Sequence, residues 1–127
     1  MTTLDICLLQ WNTYNTRMQK VFETISDENF NKPITSNGNS PSWIMGHLAD
    51  TDDALLELFG IGSRKHPELK TIYHHEKGTN QTGHLSKSDL MNKWKSITGE
   101  LIACRSQGFP PRADSDAVKV NDPRFFR

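Results

Sequence analysis

The sequence predicts an all-α fold, an up-down helical bundle with three clear helices and no evident fourth. Three observations carry this. Apolar residues recur at three- and four-residue spacing in three separate segments, as one face of a helix requires. Helix-start signals stand directly ahead of the second and third segments. After Gly108 the stripe stops, and the chain reads as an irregular tail. The domain organisation expected is a bundle over residues 1–108 and a tail over 109–127.

The first helix is expected over about residues 4–25. Leu4, Cys7, Leu8, Trp11, Met18, Val21, Phe22 and Ile25 make its stripe, interrupted near Tyr14 and Asn15. Asp5 in its first turn and Lys20 toward its end suit the helix dipole. Ser26-Asp27-Glu28 then starts a short turn, and Pro33 with Ser36-Asn37-Gly38-Asn39 forms a loop that Phe30 and Ile34 tuck under the bundle.

The second helix is expected over about residues 41–59. Ser40 is a good N-cap, since its hydroxyl can accept from an orphan amide of the first turn, and Pro41 follows where its missing N–H costs nothing. Gly60 suits the left-handed position that ends the helix. Ile44, His47, Leu48, Thr51, Leu55 and Leu58 share one face, which spacing assigns to the core. Asp50, Asp52, Asp53 and Glu57 are then assigned to a solvated outer face. The imidazole of His47 points where a core residue should be, so it is either a satisfied core histidine or one ligand of a site between helices. Asp50, three residues on, is placed to orient it.

Residues 60–85 read as a long polar connection that holds four of the five histidines. His74, His75 and His84 could bring imidazole nitrogens near His47, although their spacing fits no tight ligand motif. The third helix is expected over about residues 86–106. Ser86 and Asp89 approach a capping box, and Leu90, Trp94, Ile97, Leu101 and Cys104 form the stripe. Trp43 and Trp94 read as core anchors. Phe109-Pro110-Pro111-Arg112 excludes helix, because consecutive prolines remove donors and block the preceding turn.

Composition narrows the classes. Fifteen basic and fifteen acidic residues cancel over 127 residues, which leaves no global field for nucleic acid or an anionic membrane. No apolar run approaches a membrane span, and no basic, apolar leader opens the chain, so a cytoplasmic protein is expected. Cys7 and Cys104, each on an apolar stripe, are expected as buried reduced thiols. The sequence has no phosphate-binding glycine loop, no Gly-x-Ser-x-Gly and no Cys-x-x-Cys.

The run Asn39-Ser40-Pro41-Ser42-Trp43-Ile44-Met45-Gly46-His47-Leu48-Ala49 resembles the second-helix signature of the DinB-like family, YfiT-like metal-dependent enzymes. Helix order and spacing extend the resemblance over roughly residues 1–105, and only the eleven-residue run is specific. The resemblance implies a four-helix bundle in which His47 is the first ligand of a divalent metal such as zinc or nickel, serving hydrolase or thiol-transferase chemistry. The family's further His-x-x-x-His pair on its last helix is absent, as no two of the five histidines are four apart. Only His47 matches the family's site, so an activity impaired in this chain is expected. The missing helix leaves a groove with three outcomes: Phe109, Phe125 and Phe126 of the tail plug it, two chains pair as a homodimer, or the chain is a shortened form of a longer one. The alternative function is a non-catalytic bundle that binds a hydrophobic small molecule or partner helix in a slot lined by Trp43, His47, Trp94 and Leu101.

Overall fold

The computed structural model describes residues 2–36, 38–73 and 84–107. His74, His75 and the 109–127 tail, with Phe109, Phe125 and Phe126, lie outside the described residues. The elements are α1 (Thr3–Thr24), α2 (Asp27–Phe30), α3 (Pro41–Leu58), α4 (Glu68–Tyr73) and α5 (Lys87–Gln107), and no strand forms among the described residues.

Local chemistry sets each boundary. Thr2 and Asp5 form a reciprocal capping box at α1, with the Asp5 amide donating to Thr2 Oγ1 at 3.2 Å and the Thr2 amide donating to Asp5 Oδ2 at 2.8 Å. Ser26 caps α2 through the Asn29 amide, and the turn it begins buries Phe30. Ile34, expected to tuck under the bundle beside it, is exposed. Ser40 Oγ accepts from the Trp43 amide at 3.2 Å, and Pro41 opens α3. Gly60 takes φ of +70°, with the Ile61 amide donating to Leu56 O and the Gly60 amide to Glu57 O. That pair of bonds is the Schellman arrangement, and it satisfies carbonyls the helix end would orphan. Ser86 Oγ accepts from the Asp89 amide at the start of α5.

Helix α5 packs against both α1 and α3. Phe22 of α1 meets Trp94 edge-on at 5.9 Å between ring centroids, Lys95 pairs with Glu23, and Lys87 Nζ donates to Ile25 O. Trp11, near the other end of α1, meets Leu101, so α1 and α5 are antiparallel. On the opposite flank Ser42 lies against His84, Asp52 against Trp94, and Leu55 and Phe59 against Leu101. Helices α3 and α5 therefore run the same way. Parallel neighbours need a connection that returns along the bundle, which explains the length of the 60–85 segment. That segment is not a plain loop: α4 lies within it and buries Leu69 and Tyr73 against α3.

The α3 register is the main departure from expectation. Met45, Ala49 and Leu56 are buried, together with Ser42, Gly46, Asp50, Asp52, Asp53 and Ala54. The predicted core face of Ile44, His47, Leu48, Thr51, Leu55 and Leu58 is only half-buried or, at Thr51, exposed, although Ile44, Leu48 and Leu55 still pack against the core. The acids assigned to solvent are 2% (Asp50), 7% (Asp52) and 0% (Asp53) exposed; of the four only Glu57 faces water. Each buried carboxylate has partners that offset its desolvation. Asp50 Oδ1 accepts from Arg64 Nη1 at 2.8 Å. Both Asp53 oxygens accept backbone amides, from Lys65 at 2.8 Å and His66 at 3.0 Å. Asp52 Oδ2 accepts the Trp94 indole N–H at 2.8 Å, and Trp11 adds a second side-chain bond. The acids thus fasten the return segment and both flanking helices onto α3. The thiols also depart from expectation: Cys7 is exposed and Cys104 half-buried, both free.

Gly46 shows why a glycine stands mid-helix. A Cβ there would lie 2.4 Å from the ring of Tyr73, which is fully buried and cannot move aside. Helix propensity alone makes Gly→Ala favourable by about 1 kcal/mol, whereas overpacking costs roughly 1–3 kcal/mol or more. Gly46→Ala is therefore expected to destabilise the fold by up to about 2 kcal/mol in urea denaturation. A stabilised variant would contradict the contact.

Burial drives the Asp52 carboxyl up to about 6, against the two indole bonds that pull it down. A carboxyl with a raised folded pKa holds its proton more tightly when folded. Its contribution is fully present below the unfolded value of 3.8 and is lost as pH rises through about 6. The stability of the natural chain relative to Asp52→Asn is expected to fall by on the order of 2–3 kcal/mol between about pH 4 and pH 7.5. Other titrating groups are common to both proteins and cancel in the difference. A difference that does not change with pH would contradict the assignment.

Candidate functional site

The site is built on the first two turns of α3 and on the end of α4. His47 Nδ1 lies 3.1 Å from the carbonyl oxygen of Tyr73. A carbonyl only accepts, so Nδ1 carries the proton and donates, and Nε2 keeps the lone pair. Trp43, one turn earlier, stacks on the imidazole at 4.7 Å with the planes 9° apart, which fixes the ring's rotation. Trp43 is half-buried beside the histidine and packs against the core, and its Nε1 is buried with no hydrogen-bond partner among the described residues; Trp94 is fully buried in the core.

Tyr73 is held at three points. Its ring lies on Gly46, its hydroxyl oxygen accepts the Leu85 amide at 2.7 Å, and its carbonyl receives His47. Burial raises its hydroxyl pKa, against the lowering effect of the Leu85 and Ser42 bonds. His84 packs its ring 5.0 Å from that of Tyr73, with Nδ1 3.4 Å from Ser42 Oγ. Burial lowers the pKa of His84, favouring the neutral imidazole that metal ligation needs.

The structure therefore brings His47 and His84 to the same tyrosine, one at its backbone and one at its ring. It does not bring His66 into this group. His66 Nδ1 faces Glu68 Oε1 at 3.3 Å and its amide is bound to Asp53. Asp50, expected to orient His47, is the partner of Arg64, and the bond to Nδ1 comes from the Tyr73 carbonyl. Sequence reading missed Tyr73 and Arg64. Gly46 was the available signal, since a glycine inside a helix often marks a close approach.

The donor set can be tested against the divalent metal that the resemblance implies. His47 meets the outer-shell requirement, because ligating histidines typically donate their other N–H to a carbonyl or carboxylate. Among the described residues, however, no three His, Cys, Asp or Glu side chains are grouped so as to hold an ion. The described part of the chain supplies an oriented imidazole and not a complete centre.

A separate apolar cavity of about 120 Å³ opens between α1, α3 and α5, lined by Leu8, Trp11, Leu55, Phe59 and Leu101. Of the four residues expected to line a slot, only Leu101 does so. Trp94 is fully buried, and Trp43 and His47 are stacked on each other. Among the described residues no helix is long and apolar enough to cross a membrane.

A search of curated proteins finds no match to this chain. The family model of the DinB superfamily matches residues 10–112, which span α1 to α5 and include His47, Tyr73 and His84. With that match over most of its length, the chain belongs to the DinB superfamily.

Proposed function

We propose that this chain is a divalent-metal-binding DinB bundle in which His47 Nε2 is the anchoring ligand, with hydrolase or thiol-transferase chemistry impaired relative to a three-imidazole centre. The observation that carries this reading is the His47 Nδ1 bond to the Tyr73 carbonyl, which commits Nδ1 as a hydrogen-bond donor and places the lone pair of the neutral ring on Nε2. A zinc or nickel ion, when bound, would lower the pKa of a water or thiol in an open coordination position. The chain's own contribution is to hold the imidazole. Trp43 fixes its plane, the Tyr73 carbonyl fixes its tautomer, and Gly46 lets Tyr73 approach closely enough to do so. His84, neutral and on the same tyrosine, is the described histidine best placed to assist. A single prepared imidazole retains metal weakly against water and chelators, and the impairment follows from that.

A second reading is favoured by the apolar cavity, whose 120 Å³ approaches the roughly 150 Å³ at which a dry cavity accepts a benzene-sized ligand. In that case the bundle binds a small hydrophobic molecule and catalyses nothing.

Elemental analysis of the untagged protein, equilibrated with zinc or nickel, separates the two. The natural chain is expected to carry metal above background at excess zinc or nickel, and His47→Ala to fall to background while keeping its helical circular dichroism. Equal background metal in both proteins would reject the metal reading and leave the cavity as the place to look.

A further inference from the structure

Beside the His47 contact, a second chain of polar groups runs from the Leu85 amide through Tyr73 and Ser42 to His84. The Leu85 amide, on the residue after His84, donates to the Tyr73 hydroxyl oxygen at 2.7 Å. The same hydroxyl bonds the Ser42 side chain, and Ser42 Oγ lies 3.4 Å from His84 Nδ1. Ser42 and Tyr73 are fully buried, so each of their hydroxyl protons needs a protein acceptor. An amide N–H cannot be one, which leaves Ser42 Oγ as the acceptor for the Tyr73 proton among the described residues. The Ser42 proton is then available to His84 Nδ1. The reverse order would bring both the Leu85 amide and the Ser42 hydroxyl onto the tyrosine oxygen, and would bury the tyrosine proton with no acceptor among the described residues.

A neutral imidazole that accepts at Nδ1 carries its proton on Nε2. His84 is thus held in the opposite tautomer to His47, which donates from Nδ1 to the carbonyl of the same tyrosine. Burial pushes the His84 pKa down, which favours the neutral ring. The two ring nitrogens point to nearly opposite sides. With Nδ1 on Ser42, the Nε2–H lies on the edge of this half-buried histidine that is turned away from Ser42.

We propose that His84 serves the candidate site as an N–H donor and not as a metal ligand, with Ser42 and Tyr73 as the residues that position it. A ligating histidine needs a bare ring nitrogen. At His84 the Nδ1 lone pair is committed to Ser42 and Nε2 bears the proton. The group such a donor suits is an oxygen carrying negative charge, a hydroxide or a carboxylate, which a fixed N–H stabilises where water is excluded. Only the place of that oxygen, at His47, rests on the metal reading.

Nitrogen-15 NMR of the histidine side chains, at a pH where His84 is neutral, reads the arrangement before and after zinc is added. His84 is expected to carry its proton on Nε2 in the natural chain and to keep it with zinc present. In Ser42→Ala, which removes one hydroxyl from a packed position, that preference is expected to be lost. Zinc content is expected to be the same in His84→Gln as in the natural chain. A proton on Nδ1 of His84, a tautomer unchanged in Ser42→Ala, displacement of the Nε2 proton by zinc, or a fall of His84→Gln to background zinc would each overturn the proposal. Equal zinc in His47→Ala and the natural chain would reject the metal reading instead, and the His84 tautomer in metal-free protein would still decide this one.

Discussion

The contact between Gly46 and the ring of Tyr73 is the constraint on which the rest of this structure depends. Only a residue without a Cβ lets the ring lie flat against α3 at that depth. With the ring seated, the Tyr73 hydroxyl reaches the Leu85 amide at the approach to α5, and the Tyr73 carbonyl reaches His47. One side chain thereby joins the returning segment to the helix it left and to the helix it enters. The parallel run of α3 and α5 requires such a return, and the tyrosine sets where it ends.

The buried acids of α3 work to the same end. Arg64 and the amides of Lys65 and His66 hold the start of the return segment, while the indoles of Trp94 and Trp11 bring α5 and α1 to Asp52. Buried carboxylates give little net stability, since desolvation offsets much of what their partners return. Their consequence is directional: every partner they accept is specific, so α3 has one rotation that satisfies all three. Asp52 is less compensated than Asp50, because two neutral donors replace its hydration where Asp50 has a guanidinium.

Caps and periodicity made the helix boundaries legible. Thr2 and Asp5, Ser40 with Pro41, Gly60 and Ser86 each act locally, and local chemistry survives in a sequence. The rotation of α3 was not legible, because its two faces compete. One carries Leu48, Leu55 and Leu58; the other carries small residues and carboxylates whose partners, Arg64 and Trp94, are distant in sequence. Ranking aspartates as solvent-facing is sound until an arginine or indole is known to lie against them. Helix α4 was missed for a related reason, since its six residues are too few for a stripe, and Leu69 and Tyr73 are buried by tertiary packing alone. His47 was visible as a candidate because of the run around it, but its partner was not: backbone carbonyls leave no mark in a sequence.

The functional reading and the packing meet at one hydrogen bond. The Tyr73 carbonyl decides which nitrogen of His47 carries the proton, and hence whether Nε2 can donate to a metal at all. Nitrogen-15 NMR of the imidazoles in metal-free protein, at a pH where His47 is neutral, reads this tautomer. A protonated Nδ1 and an unprotonated Nε2 at His47 are the result the account predicts. A proton on Nε2, or an even mixture of the two tautomers, would contradict it and reduce the histidine to a packing residue.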